Sequence, residues 1–130
     1  MTSFVFDTGA LSLIYAKDER LHAVVERIES GEAEGLISSV TLAEFYYKTC
    51  QSSGKDVALL RSQQLIERMT VMETSVGQSR AAGMEKCRNS RLSLADSFVL
   101  ALARRQRGTI LTTDGELAKE RDVKVRYLQV

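Results

Sequence analysis

Asp7, Glu44, Asp96 and Asp114 are spread along almost the whole chain, yet each stands where an apolar segment gives way to a turn or helix. Asp7 follows the run Phe4-Val5-Phe6, and Asp114 follows the strand-like Thr109-Ile110-Leu111-Thr112-Thr113. Glu44 is read in the first turn of a helical stretch beginning at Thr41, and Asp96 at the opening of another beginning at Leu94. In an open parallel α/β sheet, ligands bind beyond the carboxyl ends of the strands, so Asp7 and Asp114 are expected at that edge. Carboxylates with no imidazole or thiolate beside them suit a hard cation, Mg²⁺ or Mn²⁺, rather than Zn²⁺. Such an ion activates water and neutralises a departing oxygen, which is the chemistry of phosphodiester hydrolysis. Packed acids repel one another and take up protons unless a cation enters, so a cluster of them is a poor device for stability.

Each acid also has a plain local explanation. Asp7 and Asp114 occupy positions suited to capping the helices that follow them. Thr41-Leu42-Ala43-Glu44 and Ser93-Leu94-Ala95-Asp96 both fit the capping box, a hydroxyl followed three residues later by an acid. Acids in first turns are favoured by the helix dipole in any case. These rules explain the position of each residue singly. They do not explain why all four would meet at one edge.

Neighbouring groups extend the candidate site. Thr8, Thr112 and Thr113 are placed to orient a carboxylate or a bound water, although strand propensity and capping account for them equally well. Glu116 is read as surface charge on a helix. Lys86, Arg88 and Arg91 precede Asp96 and are candidates for holding RNA phosphates. Arg104, Arg105 and Arg107 are read as solvated charge at a helix end. His22, the single histidine, is assigned to surface or packing. Gly54-Lys55-Asp56 lacks the upstream glycine and the hydroxyl residue of a phosphate-binding loop.

The elements that must position these groups alternate along the chain. Strands are predicted at Ser3–Phe6, Gly35–Ser38, Val71–Glu73, Thr109–Thr112 and Lys124–Tyr127. Helices are predicted near Gly9–Ala16, Glu19–Ser30, Leu42–Ser52, Val57–Arg68, Val76–Asn89, Leu94–Arg107 and Glu116–Glu120, with a turn at Gln51–Lys55. The alternation predicts a three-layer α/β/α sandwich around a mainly parallel sheet of roughly five strands. With no proline, breaks between elements fall to glycines such as Gly31, Gly54 and Gly108.

The length of 130 residues is read as one domain, residues 1–130. A hydrophobic content of 44% and a charged content of 27% are those of an ordinary globular chain. The net charge of +1 places any nucleic-acid contact on a local patch rather than the global field. There is no apolar run of bilayer length, so no membrane association and a cytoplasmic location are expected. Cys50 and Cys87 are unpatterned and are expected to pack as buried free thiols.

Taken together, four segments resemble the motifs of PIN-domain ribonucleases. Phe4-Val5-Phe6-Asp7-Thr8-Gly9 resembles the opening motif, and Ser38 to Glu44 the second. Leu92-Ser93-Leu94-Ala95-Asp96-Ser97 is similar to the third, and Ile110-Leu111-Thr112-Thr113-Asp114 to the fourth. The resemblance covers essentially the whole chain, and its length suits the VapC-like toxins of toxin–antitoxin pairs. It implies that Asp7, Glu44, Asp96 and Asp114 are metal-binding catalytic acids, with Thr112 as a supporting hydroxyl. It also implies an RNA substrate, a cognate antitoxin and a homodimer. Two departures stand out: Leu117 where many relatives carry an aromatic, and Gly9 where Asn or Ser is common. An alternative is a catalytically silent module that holds RNA or protein through the same fold. Phosphoryl transfer through an aspartyl phosphate is disfavoured, because Thr109–Thr113 carries no lysine and Asp7 has no acidic neighbour.

Overall fold

The computed structural model describes residues 1–130. Its strands are β1 (Thr2–Phe6), β2 (Ala33–Ser38), β3 (Thr70–Met72), β4 (Thr109–Thr112) and β5 (Lys124–Tyr127). Its helices are α1 (Thr8–Tyr15), α2 (His22–Glu29), α3 (Ser39–Ser53), α4 (Lys55–Arg68), α5 (Val76–Arg88), α6 (Leu94–Gln106) and the short α7 (Gly115–Ala118). Phe4 and Phe6 of β1 pack into one apolar cluster while Val5 packs into another, and all three are buried. A strand apolar on both faces belongs inside a parallel sheet covered by helices on both sides. The sheet has five strands in the order β3-β2-β1-β4-β5, and every pair is parallel.

On one side, Phe4, Phe6 and Ile37 pack with Leu11, Phe45 and Leu65. On the other, Val5, Leu36 and Ile110 pack with Val99, Leu100 and Leu117. Leu117 is fully buried, so an aliphatic side chain fills this core position at the start of the last crossover. The chain runs outward from β1 through β2 to β3 and then returns to β4 on the other flank of β1. That reversal opens a crevice between the carboxyl ends of β1 and β4.

Several local expectations are corrected. Helix α3 starts at Ser39, earlier than predicted, because Ser38 Oγ accepts the Val40 amide at 3.2 Å and acts as the cap. Thr41 is therefore no cap; it is buried within the helix and its hydroxyl has no partner. Glu44 lies beyond the first turn, which contains no acid. The turn predicted at Gln51–Lys55 shrinks to Gly54, whose φ of +94° lets α3 and α4 fold back on each other. Residues Glu19–Leu21 form a separate 3₁₀ turn ahead of α2.

The Tyr15 hydroxyl donates to the Arg61 carbonyl and to Gln64 Oε1, each at 3.1 Å, and ties the α3–α4 hairpin to α1. Cys87 is exposed and Cys50 half-buried, so neither is the buried thiol expected, though both are free. His22 is a surface residue 3.2 Å from Glu26. Arg104, read as solvated charge, is instead only 32% exposed, with Nε 2.5 Å from Glu85 and Nη2 3.3 Å from Glu120.

Candidate functional site

Asp7 leaves β1 at the crevice and uses both of its oxygens. Its Oδ1 accepts the Ala10 amide at 2.8 Å, capping α1, as the local rule predicts. Its Oδ2 accepts from the Thr112 hydroxyl and from the Thr113 amide, the latter at 3.2 Å. Thr112 Oγ1 in turn accepts the Asp114 amide at 2.9 Å. The ends of β1 and β4 are thus laced together through a carboxylate and a buried hydroxyl. Asp114 caps α7, with Oδ1 accepting the Glu116 amide at 3.2 Å.

The other two acids arrive on helices. Ser93 Oγ caps α6 by accepting the Asp96 amide at 3.0 Å, which sets the Asp96 side chain at the helix mouth. Glu44 accepts a hydrogen bond from Thr8, the first residue of α1. The Thr8 side chain thus meets a carboxylate across the α1–α3 contact. With Gly9, Lys48, Ser93 and Thr113, these four acids line one open cleft of about 250 Å³ that has no hydrophobic lining residue.

The electrostatics are those of crowded acids. Burial, then the carboxyl of Asp114 and the charge of Asp7, push the Asp96 carboxyl up to about 8. Asp7 is also raised, chiefly by burial, against the opposing effect of its hydrogen bonds from Thr112, Ala10 and Thr113. No three acidic, histidine or cysteine side chains are drawn in tightly enough to form a ready coordination group. The cleft is an open arrangement of oxygen donors rather than a closed cage.

Three lining residues were not singled out as ligand contacts in the sequence: Lys48, Ser93 and Gly9. Lys48 follows Glu44 by one helical turn, so the i, i+4 spacing was a usable signal. Gly9 is explained by its neighbour. A Cβ there would overlap Thr113 Oγ1 and lie 2.9 Å from Thr113 Cβ, so the threonine side chain occupies the space a larger residue would need.

The basic candidates lie outside the cleft. Lys86 Nζ donates to the carbonyls of Ser90 and Leu92 at 3.2 and 2.7 Å, bracing the α5–α6 connection. Arg88 pairs with Glu85 at 3.3 Å. Arg91 is 78% exposed, with Nη1 4.0 Å from Glu116, so it is the freest of the three. Glu116 itself also pairs with Lys119 at 3.4 Å and does not line the cleft.

The model of the PIN domain family matches residues 4–122. The chain belongs to the PIN domain family. No curated protein is significantly similar to it in sequence. Among solved structures, VapBC from Salmonella typhimurium bound to DNA is similar, with 20% identity, a TM-score of 0.79 and 98% of each chain covered. VapBC2 from Rickettsia felis bound to a promoter fragment follows at 16% identity and a TM-score of 0.75, covering 98% of this chain and 100% of that one. VapC20 from Mycobacterium tuberculosis, described as a toxin cleaving the sarcin-ricin loop, has 14% identity and a TM-score of 0.70, over 88% and 92% of the two chains. At these identities the likeness is one of fold. In this PIN domain the donors facing the cleft are carboxylate and hydroxyl oxygens, a set that fits a hard divalent cation and lacks the nitrogen and sulfur that select zinc.

Proposed function

We propose that this PIN domain is a metal-dependent endoribonuclease, the toxin of a toxin–antitoxin pair. The observation that carries this reading is the gathering of Asp7, Glu44, Asp96 and Asp114 on one polar cleft at the switch point of the sheet. Capping explains part of the position of Asp7 and Asp114. It does not explain Glu44, which lies beyond the first turn of α3, nor an Asp96 carboxyl whose pKa is raised by burial and then by Asp114 and Asp7. A divalent cation would relieve the crowding of these carboxylates.

Asp7, Glu44, Asp96 and Asp114 are the residues that would hold Mg²⁺ or Mn²⁺. Such an ion would supply the Lewis-acid charge that activates water and neutralises a departing oxygen. The chain does the positioning. Thr112 and the Thr113 amide fix Asp7, Ser93 fixes the entry of Asp96, and Thr8 fixes Glu44. The expected products carry a 5′-phosphate and a free 3′-hydroxyl.

The toxin assignment rests on the fold shared with VapC proteins solved in VapBC complexes. It predicts a cognate antitoxin that covers the acidic cleft, assembly as a homodimer and action in the cytoplasm. No helix is long and apolar enough to cross a membrane. The deciding experiment compares wild type with Asp96→Asn on labelled structured RNAs, with Mn²⁺ and with EDTA. Cleavage by the wild type in Mn²⁺ alone is the expected result. Turnover that persists in the chelator or in the variant ends the reading, and tight RNA binding without turnover favours the silent module.

A further inference from the structure

We propose that Lys48 holds a backbone phosphate of the RNA beside the scissile bond and so sets substrate affinity; this rests on the nuclease reading above. Lys48 is the one cationic side chain lining the acidic cleft. It lies one turn beyond Glu44 on α3, which places both residues on the same helix face. It is exposed, and it enters none of the ion pairs in the protein.

The carboxylates beside it are already engaged. Glu44 is held by Thr8, and Asp7 by Thr112, Thr113 and Ala10. The other basic groups near this edge are committed or outside the cleft: Lys86 braces carbonyls, Arg88 pairs with Glu85, and Arg91 leans toward Glu116. A strand of RNA crossing four carboxylates meets repulsion at every phosphate the metal does not neutralise. An ammonium on a flexible stem is a compact point charge suited to one such phosphate. Because the side chain is exposed, its removal leaves the packing of α3 intact.

The test uses the full chain as wild type, Lys48→Met and Lys48→Arg, with a labelled single-stranded RNA of a sequence the wild type cuts or binds. Cleavage in Mn²⁺ and binding by fluorescence anisotropy are both followed across a salt series. Lys48→Met is expected to raise KM and Kd about three- to tenfold, with kcat at saturating RNA within about twofold of wild type. The slope of log Kd against log salt should become shallower by about 0.7, one phosphate contact on a single strand. Lys48→Arg should restore both affinity and slope.

A Lys48→Met protein with wild-type KM, Kd and salt slope overturns the proposal while leaving the nuclease reading intact. So does a fall in kcat with KM and Kd unchanged, which would place Lys48 in the chemistry instead. If the wild type cuts no RNA, the nuclease reading fails by itself, and the binding series still decides about Lys48. Equal affinities then sink it, and weaker binding with a shallower slope supports it.

Discussion

Asp7 gives one oxygen to the start of α1 and the other to the end of β4, so the same carboxylate joins two elements and faces the cleft. Thr112 stands between Asp7 and Asp114, donating to the first and accepting the amide of the second. Replacing it with valine keeps the shape and removes both bonds inside a fully buried site. On the proposed nuclease reading, Thr112→Val is therefore expected to lower cleavage about 10- to 100-fold, the usual loss when the partner supporting a metal ligand is removed. It should also destabilise the fold by about 1–3 kcal/mol. Thr112→Ser should recover most of both, as judged by initial rates and a urea titration. Gly9 makes a separate prediction. Gly9→Ala drives a methyl group into Thr113, so it should lower the melting temperature and cleavage together. Adding Thr113→Ala removes the overlapping hydroxyl but leaves the 2.9 Å approach to Cβ, so it should recover part of both, a coupling that independent sites would not show.

Among the helices, Glu85 on α5 ties its own helix to α6. Glu85 is buried and meets Arg104 of α6 and Arg88 of its own helix. Glu85→Ala leaves Arg104 without its shortest partner and is expected to cost about 2–4 kcal/mol, measured by denaturant unfolding. Cleavage by the folded fraction should be unchanged, because this network lies away from the cleft. Nothing in the sequence marks it, since Glu85 and Arg104 are distant along the chain and meet only through packing of α5 on α6. Contacts of that kind are where the sequence was least informative. Alternation of strand and helix was legible because each apolar run has a definite period, and the Ser93 cap was legible because its pattern is local. The Thr41 pattern was equally good and misled, since Ser38 caps the same helix three residues earlier. Four acids were visible as residue types. That Glu44 is oriented by Thr8, and that Gly9 and Thr113 share one space, depended on α1 lying against α3 and β4.

At the scale of the whole molecule, the acidic cleft ties stability to pH and, on the nuclease reading proposed above, to metal. The Asp96 carboxyl moves from 3.8 to about 8 in the folded chain. Between those values the native state keeps a proton that the unfolded state has released, so stability must fall as pH rises through that window. Asp7, also raised by burial, acts in the same direction. Because the site is partly open to solvent, the loss between about pH 5 and pH 8 is expected to be about 1–3 kcal/mol, well below the full shift. Asp96→Asn removes the titrating group and should flatten the profile, leaving the variant more stable than wild type near pH 8 in the absence of divalent ions. A cation that binds only the folded chain adds stability by mass action, about 2.7 kcal/mol at a hundred times its Kd. Since it must displace the proton on Asp96, its benefit should grow between pH 6 and pH 8. Thermal melts of wild type and Asp96→Asn, with and without Mn²⁺ across that range, test the linkage directly. A wild type that melts at the same temperature throughout and ignores Mn²⁺ would mean that these carboxylates do not compete for a cation. A Mn²⁺ response that survives in full in Asp96→Asn would place the cation on Asp7, Glu44 and Asp114 alone.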